Sequence, residues 1–256
     1  MRRALGCVAG LAAAGCSLVY PLDEYDEATS AASTSVTSGT TNGTTSGSGG
    51  AGAGGDGGQG GTLDCGQFVN PKASSVVETF DAGFGSVSPV GPCVAADAGT
   101  VLVTPPESGE FCWVSLPGVY RLTCDSLTFR VLEATNPVLG AQTYVYLDDL
   151  TTMAGGHLIL EGGGFSLSRS DGSMSISITS ASYNPNTDLY WRLRADQTTL
   201  FFETSIDGSA WVLRGSGPHL FPLDNLRIRI GAGTYAALMA PPGQARFDCL
   251  NVTPCP

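Results

Sequence analysis

The chain has 256 residues and a formal net charge of −11, with 12 basic against 23 acidic side chains. Lys72 is its one lysine. So few basic side chains exclude a nucleic-acid-binding function, which needs lysines and arginines to neutralise phosphates. About 190 residues lie outside a low-complexity segment, a length that suits one domain with its own core.

Residues 1–15 have the composition of a secretory signal peptide: two arginines, an apolar stretch of about 12 residues and small residues before Cys16. That stretch is too short to span a bilayer. Ala13-Ala14-Gly15-Cys16 resembles the lipobox of bacterial lipoproteins, although that family usually has Leu, Val or Ile at the place of Ala13. The resemblance implies that Cys16 is lipidated and that the chain is exported and anchored by its lipid, in the outer membrane on the periplasmic or the surface face. An ordinary cleaved signal peptide with an incidental cysteine is the alternative.

Residues 16–62 are predicted to form a flexible tether. Residues 28–62 are almost entirely Ser, Thr, Gly and Ala, have no apolar period and cannot build a core. A flexible chain of this length has a mean span of roughly 30–35 Å. The tether therefore holds a domain at 63–256 away from the membrane.

The domain at 63–256 is predicted to be all-β. Residues 173–179 and 226–230 alternate polar and apolar side chains, the period of half-buried strands. Turn pairs such as Asp-Gly at 207–208 separate further short apolar runs. These runs are 101–104, 127–132, 143–147, 158–160, 165–167, 189–193, 200–204 and 211–213. No stretch keeps a helical period over three turns, so the pattern predicts an antiparallel sandwich or barrel.

Motifs late in the chain resemble a known family. Tyr-Trp-Arg-Leu-Arg at 190–194 precedes a strand and Ser-Ile-Asp-Gly-Ser-Ala-Trp at 205–211, and the chain closes on Phe-Asp at 247–248. Residues 76–252 thereby resemble the concanavalin A-like lectin/glucanase domains. The resemblance implies an antiparallel two-sheet jelly-roll sandwich whose first strand holds Thr-Phe-Asp at 79–81. It implies no single activity, because lectins, hydrolases and adhesion modules share this fold.

Side chains that face outward from three strands form the candidate ligand site. Residues i and i+2 of a strand line one face, so Val145 and Leu147 are expected in the core. The outward set is Tyr144, Tyr146, Asp148, Tyr190, Arg192, Arg194, Arg227 and Arg229. Aromatic rings stack on sugar rings, and carboxylate and guanidinium groups bond hydroxyl groups, so this set indicates a carbohydrate ligand. The alternative is a solvated ladder of arginines paired with Glu203 or Asp148.

The predicted function is a surface-anchored, non-catalytic binding module for carbohydrate. Glycoside hydrolysis needs two carboxylates at a fixed separation, whereas Asp148 and Asp149 are adjacent and point to opposite faces. His157 and His219 have no Cys or His at ligand spacing. The first alternative is a structural or adhesive cell-envelope protein that contacts other proteins, and the second is a divergent glycoside hydrolase.

Six cysteines after the anchor predict disulfides, because an exported domain with an even number of cysteines usually oxidises them. They are Cys65, Cys93, Cys112, Cys124, Cys249 and Cys255, which allow 15 pairings. Cys112 and Cys124 lie symmetrically about Pro-Gly-Val at 117–119, so a three-residue hairpin loop would place them opposite each other. Cys65 with Cys255 and Cys93 with Cys249 complete the expected set. A metal site is the alternative, but the spacings match none.

The family resemblance also implies a calcium ion at Asp248. Many jelly rolls of this family bind calcium between the first and the last strand, which would place Asp248 near Asp81. Calcium takes six to eight oxygen ligands, many of which are backbone carbonyls. The alternative is a carboxylate that caps or pairs at a strand edge.

Overall fold

A computed structural model describes residues 68–171 and 174–255 of the chain. The predicted signal peptide, the lipidated Cys16, the tether and Cys65 all lie outside these ranges. Within them, no helix is long and apolar enough to cross a membrane.

The described residues form one short 3-10 helix, Ala73–Ser75, followed by β-strands. In chain order the strands are β1 (Ser88–Val90), β2 (Val94–Asp97), β3 (Thr100–Val103), β4 (Phe111–Ser115), β5 (Asp125–Glu133), β6 (Ala141–Asp149), β7 (Gly155–Glu161), β8 (Gly164–Ser170), β9 (Ser175–Ser182), β10 (Tyr190–Ala195), β11 (Thr199–Ser205), β12 (Val212–Pro218), β13 (Leu226–Thr234) and β14 (Ala245–Asp248).

The strands build two antiparallel sheets. The first has the order β1-β4-β13-β6-β7-β8-β9. The second consists of a four-stranded part, β2-β3-β14-β5, and a three-stranded part, β10-β11-β12. The two parts meet where the Val131 amide donates to the Leu189 carbonyl at 2.7 Å. Two antiparallel sheets of seven strands confirm the predicted two-sheet sandwich.

The core lies between the sheets and follows the predicted alternation. Val145 and Leu147 of β6 are both 0% exposed. Trp191 of β10 is also fully buried, and its ring contacts Phe129 at 5.7 Å and Phe165 at 4.9 Å between ring centroids. Because successive side chains of a strand point to opposite faces, burying these residues turns their neighbours outward.

The predicted first strand at 79–81 is wrong. Phe80 has a φ of 60°, in the left-handed region that extended backbone does not use. Pairing instead occurs just before it, where the Glu78 amide donates to the Leu250 carbonyl at 3.0 Å. The opening segment therefore contacts the end of the chain through this isolated bridge and through the Asn251 side chain, which donates to the Ala73 and Val76 carbonyls.

The expected disulfide pairings are also wrong. Cys93 bonds Cys112, and Cys249 bonds Cys255, so Cys112–Cys124, Cys93–Cys249 and Cys65–Cys255 do not form. Cys124 is disulfide-bonded too, and its partner lies outside the described residues.

The predicted Cys112–Cys124 bond does not form because the segments on either side of the Pro-Gly turn do not pair as a hairpin. The strand β4 pairs with β1 and β13 rather than with the residues that follow it. After the Pro-Gly turn, Tyr120 exchanges backbone hydrogen bonds with Leu226 at 2.8 and 2.9 Å, and the Leu122 amide donates to the Leu223 carbonyl at 2.7 Å. The chain therefore leaves the neighbourhood of Cys112 before it reaches Cys124.

Candidate functional site

Five strands of the first sheet carry the candidate site on their outer face, the face turned away from the core. Strand register places five side chains directly opposite one another across β4, β13, β6, β7 and β8. We call them the central row: Ser115, Arg229, Tyr146, His157 and Ser168. Neighbouring strands lie about 4.8 Å apart, so the central row spans about 19 Å.

Aromatic rings are in contact along this row. Tyr146 stacks on Tyr144, with ring centroids 4.5 Å apart and an interplanar angle of 23°, and its other ring neighbour is His157 at 4.6 Å. The Arg229 guanidinium lies 5.2 Å from the centroids of both Tyr146 and Trp113. These contacts hold a guanidinium between two partly exposed rings, which is a favourable cation–π arrangement.

One carboxylate serves two arginines beside the row. Arg229 Nη2 donates to Asp148 Oδ1 at 2.9 Å and lies 2.7 Å from Oδ2. Arg227 Nε lies 3.5 Å from the same Oδ2. The site therefore carries two positive charges and one negative charge within about two strand spacings.

The surroundings of His157 and Tyr144 keep these two groups neutral. Burial lowers the pKa of His157 and the Arg229 charge lowers it further, while the Asp148 carboxylate opposes both. Burial, together with the nearby Tyr146 and Asp148, raises the pKa of Tyr144 well above its usual range, and Arg229 opposes this rise. The imidazole is therefore neutral at pH 7 and the phenol keeps its proton.

Tyr144 supports the surface rather than forming it. It faces outward as predicted, yet it is 1% exposed. Its hydroxyl donates to the Cys112 carbonyl at 3.1 Å, across β13 at Gly231. A Cβ at Gly231 would lie 2.1 Å from that carbonyl oxygen and 2.7 Å from the Trp113 Cβ. Glycine at this position therefore lets β4 lie close against β13.

A shallow depression adjoins the row on β7 and β8. Its volume is about 410 Å³, and it is lined by Leu139, Ile159, Glu161, Gly164, Phe165 and Ser166. Glu161 is held in place there by the Gly140 amide at 2.8 Å, the Gln142 side chain at 3.0 Å and the Tyr235 hydroxyl at 2.6 Å. The depression gives the outer face a second apolar contact area beyond the rings.

The structure divides the predicted ligand-binding residues between the two sheets. Tyr144, Tyr146, Asp148, Arg227 and Arg229 share the outer face of the first sheet. The remaining three lie on β10, in the second sheet, so the eight residues do not form one site.

The arginines on β10 repeat the pairing seen at Asp148. Arg192 and Arg194 pair with Glu203 at 2.7 and 3.2 Å, as Arg227 and Arg229 pair with Asp148, so the arginine ladder that the sequence left open as an alternative is present in both sheets. Tyr190 is 5% exposed, and its hydroxyl accepts a hydrogen bond from the Cys255 amide at 3.3 Å. The carboxyl-terminal segment therefore lies against Tyr190 and removes it from solvent.

Two residues of the site were missed in the sequence. In the sequence, neither Trp113 nor His157 was assigned to the ligand site. Both alternate with buried neighbours, Val114 and Leu158, so the period of two in β4 and β7 was the available signal. What the sequence could not supply was the strand order that brings these two strands beside β13 and β6.

Asp248 behaves as a capping and pairing carboxylate. Its Oδ1 accepts from the Cys249 amide at 2.8 Å, and its Oδ2 lies 3.8 Å from Arg130 Nη1. Burial raises its pKa, and the nearby Asp81 adds to this rise. Among the described residues, Asp248, Cys249 and Cys255 are close enough to share a metal, but their two sulfurs form a disulfide. The disulfide leaves the Asp248 carboxylate as the one ligand of this group, and Asp81 lies near it. Calcium, which takes six to eight oxygen ligands, therefore stays a prediction from the resemblance.

Solved structures with the same fold include proteins of several kinds. The VIP36 exoplasmic/lumenal domain, in its Ca²⁺/Man3GlcNAc-bound form, matches with a TM-score of 0.51 at 11% identity over 68% of this chain and 85% of its own. The Crh5 transglycosylase in complex with NAG matches at 0.52 and 11% over 72% and 87%. A prokaryotic beta-1,3-1,4-glucanase (lichenase) from a mouse hindgut metagenome matches at 0.50 and 8% over 68% and 96%.

These similarities confirm the concanavalin A-like jelly-roll fold. No protein-family model matches the chain, and no curated protein matches it. At identities of 8–11%, the likeness is one of fold, and a shared fold does not define what the site binds.

Proposed function

We propose that the outer face of the first sheet binds carbohydrate, and that the chain is a surface-anchored, non-catalytic binding module. The observation that carries the proposal is the central row with its flanking Trp113 and Asp148. Partly exposed rings offer faces for the apolar side of a sugar, and the charged groups between them offer hydrogen bonds. Such a combination of aromatic side chains with a few convergent polar groups is typical of small-molecule sites.

Similar folds support this proposal by analogy. The matched VIP36 domain is bound to Man3GlcNAc, and the matched transglycosylase is in complex with NAG. A sandwich of this kind can therefore present a saccharide site, although the same fold also serves in a lichenase.

The spacing of carboxylates argues against catalysis. The strands of the first sheet carry three carboxylates, of which Asp149 is fully buried and faces the other side. The two that face outward are Asp148 and Glu161. Glu161 is opposite Gln142, six residues along β6 from Asp148, a distance of about 20 Å. Glycosidase carboxylates are about 5–10 Å apart, so this pair is too widely separated to act on one glycosidic bond.

The anchor completes the proposal. A lipid on Cys16 and a tether over residues 16–62 would hold the binding domain at the membrane and let it sample orientations. Mass spectrometry of the native amino terminus is expected to find a diacylglyceryl group on Cys16. A mature chain that begins at another residue would remove the anchor from the proposal while leaving the binding surface in place.

A glycan array probed with the purified full-length chain tests the binding function. The parent is expected to bind discrete saccharides, and Tyr146→Ala and Trp113→Ala are expected to lose that binding while keeping the parent's melting temperature within a few degrees. Trp211→Ala is the matched control, because Trp211 is a partly exposed ring on the other sheet, 4.0 Å from the Arg192 guanidinium. Silence of the parent on the array would favour the adhesive alternative, and polysaccharide turnover would favour the hydrolase.

A further inference from the structure

The edge strands of the two sheets differ in how they are protected from pairing with another chain. An edge strand leaves backbone N–H and C=O groups unpaired, and proteins protect such edges with short strands, prolines or charged side chains. The edge strand β1 has three residues and contains Pro89, and β2 has four and ends on Asp97. The edge strand β12 contains Arg214 and ends on Pro218. Each of these three edges therefore carries at least one protecting feature.

The edge strand β9 is neither short nor charged and has no proline. It is the last strand of the first sheet, and its eight residues, Ser175–Ser182, are Ser, Ile, Thr and Ala. Its one irregularity is a bulge at Ile178, where the register with β8 shifts. Among the described residues, no strand pairs with its outer edge. β9 is therefore a long, uncharged edge to which a further strand can be added.

The two faces of β9 differ in polarity. On the inner face, a Cβ at Gly215 would overlap Thr179 and a Cβ at Gly217 would overlap Ile178, so β12 packs beneath β9 without pairing with it. On the outer face, the register with β8 places four serines beside the end of the central row: Ser175, Ser177, Ser180 and Ser182.

Exposed apolar side chains lie next to this edge. Ile176 on β9 is 42% exposed, Met174 just before the strand is 59% exposed, and Val212 on the underlying β12 is 56% exposed. Single exposed apolar side chains are ordinary in soluble proteins. A group of them beside an unpaired strand edge is typical of a surface that binds another protein.

A second copy of this chain fits the edge. Antiparallel pairing around a two-fold axis places β9 opposite its own copy, and serines then face serines on the outer face, where their hydroxyls hydrogen-bond between strands. The pairing opposes no like charges, although each chain has a net charge of −11. Because each copy offers one unprotected edge among its described strands, the assembly closes at two copies.

We propose that the chain forms a dimer in which β9 pairs antiparallel with β9 of a second copy. The two-fold axis of such a pair is perpendicular to the sheet, so the first sheets join and both outer faces point to the same side. The ends of the two central rows, Ser168 of each copy, would lie three strand spacings apart, or about 14 Å measured across the strands.

The dimer has a consequence for binding. Two outer faces on one side can contact one polysaccharide at the same time, which raises the effective affinity without any new contact. This consequence rests on the proposed carbohydrate function, whereas the dimer itself does not.

Sedimentation equilibrium of the full-length chain, in a detergent matched to the density of the solvent, tests the dimer without any saccharide. We expect twice the chain mass at micromolar concentration. Ser180→Lys is expected to weaken association ten-fold or more, because it brings the lysines of two copies together at the joined edges. The matched control is Ser88→Lys, an exposed serine on β1 at the opposite edge of the same sheet, which should associate as the parent does. Both variants should keep the parent's melting temperature within a few degrees.

Cysteine cross-linking provides a second measurement that does not depend on weakening the dimer. Cysteine is substituted for each of the four outer-face serines of β9 in turn. At least one of these variants should form a disulfide between two copies, because directly opposed residues of antiparallel strands are close enough for the bond. Ser88→Cys should form none.

Two outcomes would overturn the inference. One is a parent that stays monomeric at every concentration tested. The other is a dimer that Ser180→Lys leaves intact and that none of the β9 cysteines cross-links, which would place the contact elsewhere. Saccharide binding on the array is read separately, so its absence would remove the proposed function and leave the dimer standing.

Discussion

Replacement of Gly231 by alanine should weaken both the fold and the ligand surface. The added Cβ would lie 2.1 Å from the Cys112 carbonyl oxygen, a backbone atom that no side-chain rotation can move. Strands β4 and β13 must therefore shift, and overpacking of this kind costs about 1–3 kcal/mol. The entropy gained on replacing glycine, about 0.5–1 kcal/mol, offsets part of that cost.

Gly164→Ala provides the control for this substitution. Gly164 lies in the same sheet, on β8, and its added Cβ would meet no atom nearer than 3.6 Å, so this variant should be unchanged or more stable by up to about 1 kcal/mol. Urea unfolding followed by tryptophan fluorescence gives both values, with disulfides intact. We expect Gly231→Ala to lose stability and saccharide binding together, because Trp113 moves with β4. If Gly231→Ala matches Gly164→Ala in stability, the close packing across β13 is not as described.

Three further predictions concern other groups. Asp188 is fully buried and pairs with Arg214, so Asp188→Ala should lower the free energy of unfolding in urea by about 3–5 kcal/mol. Removal of Asp97, the exposed partner of Arg246, should lower it by only about 0–1 kcal/mol. Equal losses in the two variants would contradict the buried pairing. Because the folded state lowers the pKa of His157, its contribution to stability is present above the unfolded value of about 6.5 and is lost as pH falls below it. His157→Gln should reduce this loss of stability when unfolding is measured as a function of pH. A variant whose stability falls with pH as steeply as that of the parent would contradict the prediction. Calcium predicted at Asp248 from the resemblance should raise the melting temperature, chelator should lower it, and Asp248→Asn should abolish both effects; a melting temperature that neither calcium nor chelator changes would contradict the site.

The sequence predicts which face of a sheet a side chain lies on better than it predicts which strands lie next to each other. Alternation placed Val145 and Leu147 in the core and their neighbours outside, as found, because the side-chain period of a strand is a local property. It could not show that Tyr144, though outward, is covered, since the covering groups come from β4 and β13. Burial of an outward side chain depends on strand order, which is a long-range property.

The disulfides illustrate the same limit. Symmetry about a Pro-Gly turn favoured Cys112 with Cys124, but hairpin formation requires the two flanking segments to pair with each other. The segment after the turn pairs instead with residues near Leu226, more than 100 positions along the chain. The local sequence pattern suggested the Cys112–Cys124 bond. The backbone groups after the turn instead form hydrogen bonds with a segment that is distant in the sequence, so the hairpin does not form.

The Cys93–Cys112 bond has a consequence for how the protein is produced. Cys112 contributes both a sulfur to that bond and the carbonyl that receives the Tyr144 hydroxyl. Reducing cytoplasm keeps thiols unpaired, so a chain expressed there would lack the covalent support beneath its ring stack. Material for ligand screening should therefore be made in an oxidising compartment, because a negative screen on cytoplasmic protein would report on its oxidation state as well as on its ligand preference.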